Sequence, residues 1–212
     1  MDIPSYAFYD RKELVEVEFC EGLQTIGEMA FRSCTSLRSI HIPSTVEDIS
    51  LEAFAYCTSL TEVELCKGLG TIEDSAFRYC LSLSRISIPS TIRDIPDRAF
   101  TGCSNLTEVK LREGLRTIGE YAFACCKSLA HITIPSTVTE IGNEAFDKSG
   151  LISIDLPDSI TSIGNRAFRY CKLVSFRMPP LVEVVPNECF RYCRTLMSTE
   201  SVSYTHLTLP TN

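Results

Sequence analysis

The sequence has no long apolar run and no excess of basic residues. No stretch approaches the roughly 18 consecutive apolar residues that span a bilayer, and residues 1–6 have neither the basic segment nor the apolar run of a secretory signal. Lys and Arg number 20 against 27 Asp and Glu, a net charge of −7, whereas binding to a nucleic-acid backbone normally needs a basic surface. The sequence therefore predicts a soluble chain without direct membrane insertion and without a nucleic-acid partner.

Cysteine is present, but it is too sparse for a disulfide-stapled scaffold. Eleven Cys in 212 residues fall below the density of small disulfide-rich domains. With 44% hydrophobic and 22% charged residues, the chain has the composition of a folded protein of one or two domains whose core does not depend on disulfide bonds.

An internal repeat organises the chain. Nine of the 11 Phe recur at steps of 23 and then 22 residues: Phe8, Phe31, Phe54, Phe77, Phe100, Phe123, Phe146, Phe168 and Phe190. Ala precedes each of these repeat Phe residues except Phe190, which follows Cys189. Cys stands three residues after seven of them, at Cys34, Cys57, Cys80, Cys103, Cys126, Cys171 and Cys193. A fixed period of this length is typical of a solenoid.

Two local patterns within the repeat predict its secondary structure. Ile40 and Ile42 alternate with polar residues, which predicts a strand with one buried side. Ala30, Phe31 and Cys34 lie on one side of a helical turn. Polar residues of the kind that cap helices stand three positions before most repeat Phe residues. The predicted strands lie near residues 14–19, 37–42, 60–65, 83–88, 106–111, 129–134, 151–156 and 173–178.

These patterns predict an α/β repeat solenoid. It is a leucine-rich-repeat-like, right-handed stack of coils with a parallel β-sheet on one face and short helical turns opposite. Residues 1–197 are predicted to form a single solenoid of about eight coils of 22–23 residues, truncated in mid-coil at both ends. Residues 198–212 match no phase of the repeat. They are predicted to be disordered or artefactual, since they resemble a translated sequencing adapter, or else to be a short natural tail.

The exposed side of the predicted sheet supplies the candidate partner-binding residues. Turns alternate between a Pro-Ser-Thr type and a Gly-Leu type, so the true unit is a pair of coils, and acidic residues fall on every second strand in the first half. The candidates form two rows along the solenoid: Glu16, Glu18, Ser39, His41, Glu62, Glu64, Arg85, Ser87, Glu108, Lys110, His131, Thr133, Asp155 and Arg177.

No residue set predicts catalysis, a cofactor or a metal. The repeat Cys residues fit a packing position better than a ligand set or disulfides. Cys20 and Cys66 stand near strand ends and are predicted to be partly exposed. His41 is placed between Glu18 and Glu64, where the alternatives are a metal or acid–base site and a solvated histidine. The latter is favoured, since no nucleophile or orienting group accompanies it.

The sequence resembles the BspA-type leucine-rich repeat family. The resemblance is carried by the Ile-Pro and Ala-Phe signatures, as in residues 37–46 and 141–146, and covers residues 1 to about 197. It implies a binding or adhesion solenoid without catalytic residues of its own.

The favoured function is a non-catalytic recognition module that binds a protein or glycan through its strand face. The alternatives are a segment of a secreted or cell-surface adhesin and the interaction domain of a larger enzyme. Free thiols favour a cytoplasmic location, and a fragment of a secreted protein would be extracellular. Uncapped ends predict end-to-end self-association.

Overall fold

The chain forms a parallel-strand solenoid of about seven turns. The computed structural model describes residues 1–196 and the pair Val202–Ser203. Each 22–23-residue repeat makes one coil, and every strand pairing between coils is parallel. The predicted leucine-rich-repeat-like stack with a parallel sheet on one face is confirmed, while the predicted helical turns are wrong.

The predicted sheet, called here the front sheet, has three-residue strands. Its strands are β3 (Ser39–His41), β5 (Glu62–Glu64), β7 (Arg85–Ser87) and β9 (Glu108–Lys110). In each strand the middle residue is buried and its two neighbours are exposed. This is the period-2 pattern that the sequence predicted.

Strands are not present in three of the predicted segments, residues 14–19, 129–134 and 151–156. The first belongs to an end coil with one neighbour, to which it is joined by Arg38 N–H donating to the Val15 carbonyl at 3.1 Å. Near residue 150 the turn from Phe146 to Leu151 is one residue shorter than that from Phe123 to Leu129. The coils remain joined across this shorter turn, since Ile152 N–H donates to the Ala130 carbonyl at 3.0 Å.

Two further four-stranded parallel sheets, which the sequence analysis missed, run along the side of the solenoid. The first contains the two-residue strands β1 (Asp2–Ile3), β2 (Thr25–Ile26), β4 (Asp48–Ile49) and β6 (Thr71–Ile72). The second contains β8 (Asp94–Ile95), β10 (Thr117–Ile118), β11 (Glu140–Ile141) and β12 (Ser162–Ile163). The sequence signal for these strands was the Ile, next to a polar residue, that stands five residues before eight of the nine repeat Phe residues. Two residues are too few for a visible alternation.

The Phe segments form a chain of turns, and the part of the protein that the structure describes contains no helix. Ala30 and Cys34 N–H groups donate to carbonyls three residues earlier, whereas Phe31 N–H donates at 2.8 Å to the Ala53 carbonyl of the next coil. An α-helix would instead bond each N–H four residues back. Met29 and Ser33 adopt left-handed φ values of 52° and 63°. These bonds between coils hold a backbone conformation that is costly for residues other than glycine.

The polar residues expected to cap helices join successive coils. Asp97 Oδ1 accepts the Glu120 N–H at 2.6 Å, and Asn143 Oδ1 accepts the Asn165 N–H at 2.9 Å. The same residue types suit both roles because each role needs a side-chain oxygen close to a free N–H. The prediction of a helix cap is therefore corrected to a bond between coils.

A stack of Phe rings forms the centre of the core. Neighbouring rings in this stack lie between 4.9 and 5.9 Å apart, centroid to centroid, with nearly parallel planes. The fully buried rings are those of Phe31, Phe54, Phe77, Phe100, Phe123, Phe146 and Phe168. Phe8 in the first coil is 37% exposed. Each internal ring is covered by the coils on both sides, so the coils stabilise one another.

The alternation of turn types has a structural basis in contacts between coils. Gly22 adopts a φ of +87° and donates its N–H to Thr45 Oγ1 at 3.1 Å. Gly114, with a φ of +98°, donates in the same way to Thr137 Oγ1 at 2.9 Å. A Gly turn in one coil is thus fastened by the Thr of the Pro-Ser-Thr turn in the next.

Beyond the repeat, the structure describes only Val202–Ser203. This pair, β14, lies parallel to β13 (Phe176–Arg177), which is the one strand within the predicted segment 173–178. Two residues of the segment predicted to be disordered or artefactual therefore pair with the solenoid. The rest of that prediction lies outside the described residues.

Candidate functional site

The exposed side of the front sheet, with the equivalent positions of the other coils, is called here the front face. All 14 candidate residues are exposed. The register places Ser39 beside Glu62, Glu62 beside Arg85, and Arg85 beside Glu108. Eight of the candidates thus lie on the four strands of the front sheet, in the predicted rows. Their role in binding a partner stays a prediction.

Charged groups on the front face pair with one another. Arg85 Nη2 lies 3.2 Å from Glu62 Oε1 on the neighbouring strand, and Lys110 Nζ lies 2.9 Å from Glu108 Oε1 on its own strand. Exposed pairs of this kind add little to stability. The front face is therefore a polar surface with charges of both signs exposed to solvent.

His41 contacts only one of the two carboxylates that the sequence placed beside it. Its Nδ1 lies 2.6 Å from Glu64 Oε2, with both side chains about three-quarters exposed at 74% and 73%. Glu18 has no hydrogen bond or ion pair with His41 among the described residues. The arrangement is a solvated surface pair.

The remaining candidates lie outside the four-stranded sheet. His131 Nδ1 lies 2.9 Å from Ser153 Oγ, and Arg177 Nη2 donates to Asp158 Oδ1 at 2.8 Å. Glu16, Glu18, Thr133 and Asp155 are exposed in segments that are not strands. The front face is therefore regular in its middle and irregular toward both ends.

A groove beside the front sheet was missed by the sequence analysis. It has a volume of about 510 Å³ and is lined by apolar Val63, Leu65, Ile88 and Pro89, and by Glu64, Lys67, Ser87, Ser90 and Arg112. The Pro-Ser-Thr turn at Pro89 lies between the two Gly-type turns that carry the cationic side chains. The available signal was Lys67, which stands where the other Gly-type turns have Glu21 and Glu113.

The thiols of the repeat Cys residues are buried, whereas those of Cys20, Cys66 and Cys125 are at least partly accessible. Burial raises the pKa of Cys34 to about 11 and the pKa of Cys103 to about 12. Cys20 is exposed and Cys66 is half-buried, which confirms their predicted exposure. Cys125 is also half-buried and was not singled out from the sequence.

The described residues contain neither a metal-binding cluster nor a membrane-spanning helix. Within residues 1–196 and 202–203, no group of three or more His, Cys, Asp or Glu side chains is placed to hold a metal ion. No helix in this part of the chain is long and apolar enough to cross a membrane.

Comparison with known structures gives several similar repeat proteins. A leucine-rich repeat protein from Bacteroides ovatus ATCC 8483 superposes with a TM-score of 0.90 at 25% identity, over 98% of this chain and 54% of that one. A T. pallidum leucine-rich repeat protein gives a TM-score of 0.62 at 26% identity, over 79% of this chain and 68% of that one. The present chain therefore spans about half the length of the B. ovatus protein.

A third structure shares the fold at lower similarity. A leucine-rich cell surface protein from Faecalibacterium prausnitzii A2-165 gives a TM-score of 0.55 at 24% identity, over 92% of this chain and 69% of that one. No protein of curated function matches the chain in sequence. A family model for the BspA-type leucine-rich repeat region matches residues 1–92 and 70–197 with 6 copies. The chain belongs to the BspA-type leucine-rich repeat family.

Proposed function

We propose that the chain is a non-catalytic recognition module that binds a partner through the front face. The observation that carries the proposal is the exposure of all 14 front-face candidates in rows that run along the solenoid. An extended repeat surface of this kind offers a large contact area, and its mixed charges favour a complementary partner over others. A protein is the first partner class and a glycan the second.

A capture experiment with matched variants tests this function. The doubly substituted front-face variant Arg85→Glu, Lys110→Glu changes two exposed side chains. The control Lys127→Glu, Lys172→Glu makes the same charge change at exposed positions outside the front face. We expect a partner that binds the unchanged chain and the control, and that loses at least about tenfold in affinity for the front-face variant.

The affinities of the purified partner for the unchanged chain, the front-face variant and the control are then measured. Equal affinity for the two variants would place the contact elsewhere and refute the use of the front face. A glycan array probed with the same three proteins distinguishes the second partner class.

The alternative that the chain is part of a surface adhesin is compatible with the same front face. The argument for a cytoplasmic location from free thiols is weakened, because the repeat thiols are buried and resist oxidation in any compartment. Fractionation of cells that express the full-length gene decides between the cytoplasm and the surface. The larger-enzyme alternative predicts a catalytic domain elsewhere in that gene.

A further inference from the structure

The groove between Lys67 and Arg112 contains the Pro-Ser-Thr turn at Ser90, and this turn has a counterpart at Ser136, one pair of coils further along. In that counterpart, Glu113 Oε1 accepts the Ser136 N–H at 3.1 Å, and Glu113 Oε2 accepts the Ser136 hydroxyl at 3.0 Å. A glutamate carboxylate from one coil is thus held by the Pro-Ser-Thr turn of the next. These donors lower the pKa of Glu113, so the turn favours an ionised carboxylate.

The groove itself has the same turn without the carboxylate. Ser90 stands 46 residues before Ser136, and Lys67 stands 46 residues before Glu113. Neither the N–H nor the hydroxyl of Ser90 donates a hydrogen bond to any described residue. The two donors that hold Glu113 at Ser136 therefore have no partner among the described residues at Ser90.

Two cations flank these free donors. The ammonium group of Lys67 and the guanidinium group of Arg112 form no ion pair with any described residue, and both residues are exposed. They lie on coils two steps apart, which separates their backbones by about 10 Å at the spacing of parallel strands. Glu64 is the acidic residue that lines the groove, and its carboxylate contacts His41 at 2.6 Å.

We propose that this groove binds a glutamate or aspartate side chain of an acidic, extended peptide segment. The ligand carboxylate accepts the Ser90 N–H and hydroxyl, in the place that Glu113 occupies beside Ser136. A second carboxylate two residues along an extended strand lies about 7 Å away, within reach of the other cation. The volume of about 510 Å³ is in the range of ligand pockets.

A peptide is favoured over other anions because the group that the equivalent donors of Ser136 hold is itself a glutamate side chain. The apolar floor of Ile88 and Pro89 suits the methylene groups of such a side chain. This inference rests on the proposed function, since it names the chemistry of a protein partner at the edge of the front face.

Titration with a defined peptide tests the inference. The probe is an acetylated and amidated octapeptide of alternating Glu and Thr, and the same peptide with Gln for Glu is the uncharged control. We expect the Glu peptide to bind at one site in calorimetry and to shift the Ser90 amide resonance, and the Gln peptide to do neither.

Lys67→Glu is the decisive variant, because it installs the residue found in the other Gly-type turns. It should bring the Ser90 amide resonance toward that of Ser136 without peptide, which also shows that the fold is retained. Binding of the Glu peptide should fall at least about tenfold, the effect of losing charge-assisted hydrogen bonds. Lys127→Glu, with the same change of charge, should bind within about twofold of the unchanged chain.

Three results would overturn the proposal. They are failure of the Glu peptide to bind at millimolar concentration, equal binding to the Lys67→Glu and Lys127→Glu variants, and binding of an oligogalacturonate in its place. Arg85→Glu leaves Lys67, Ser90 and Arg112 unchanged. Loss of a partner through the front face is therefore distinguishable from loss of the peptide in the groove.

Discussion

Cys57 Sγ lies 3.1 Å from the main-chain carbonyl oxygen of Phe31 in the preceding coil. The same contact recurs in each repeat that has Cys three residues after Phe, with Sγ–O distances from 3.0 to 3.3 Å. The thiol thus fills a small apolar position and donates a weak hydrogen bond to a buried carbonyl. Ser149, which replaces Cys in one coil, has its hydroxyl 3.2 Å from Cys171 Sγ, where either group can donate.

The first prediction separates the two roles of this thiol. Cys103→Ser keeps a donor for the Phe77 carbonyl, which Cys103 Sγ contacts at 3.2 Å, whereas Cys103→Ala removes it. We expect the Ser variant to be more stable than the Ala variant by about 0.5 to 1.5 kcal/mol, the net value of one hydrogen bond. Urea unfolding measures the difference. An Ala variant at least as stable as the Ser variant would mean that the thiol acts only by packing.

The core could be predicted from the sequence because its signal is repeated. Phe31, Ile40 and Cys34 are buried as expected, since each recurs in the same phase in coil after coil. The strand alternation at Ser39–His41 was visible for the same reason. Repetition turned a weak local pattern into a specific one.

The helix prediction failed because two backbone structures share one side-chain pattern. Ala30, Phe31 and Cys34 point inward from a chain of turns as well as they would from a helix. The left-handed residues that distinguish the two are mostly not glycine, and Gly102 is the one repeat position where glycine marks them. The free donors of Ser90 were equally hidden, since they depend on the residue one coil away.

The second prediction tests the assignment of the core and the front face. Phe100 is fully buried between the Phe77 and Phe123 rings, at centroid distances of 5.6 and 5.4 Å. Phe100→Ala should cost about 3 to 5 kcal/mol of unfolding free energy, the range for a large cavity in a packed core. Thr133→Ala, at an exposed front-face position, should change it by less than about 0.5 kcal/mol. Similar thermal unfolding midpoints for the two variants would contradict these assignments.

The third prediction concerns thiol reactivity. Cys20 is exposed and should be alkylated first, followed by half-buried Cys66. Burial raises the pKa of Cys57 and raises that of Cys103 to about 12, so these thiols carry almost no thiolate at neutral pH. Brief alkylation of the native protein followed by mass spectrometry gives the order. Labelling of Cys57 or Cys103 as fast as Cys20 would refute it, and labelling in denaturant is the control for intrinsic reactivity.

The last prediction follows the Glu113 carboxylate through a pH titration. The Ser136 N–H and, to a smaller extent, the Ser136 hydroxyl donate hydrogen bonds to the ionised Glu113 carboxylate. They hold the pKa of Glu113 below its ordinary value. Because the folded state favours ionisation, the stabilisation is present above the pKa of the unfolded chain and is lost as the pH falls through the folded pKa. Carbon-detected NMR should therefore give a low titration midpoint for the Glu113 carboxyl group. Ser136→Ala should raise that midpoint partway, since the N–H remains.

The Glu113→Gln variant should be less stable than the unchanged chain at neutral pH, and the difference in stability should shrink in acid. An ordinary midpoint that does not respond to Ser136→Ala would show that the turn does not select a carboxylate, and the argument for an acidic peptide at Ser90 would fail with it.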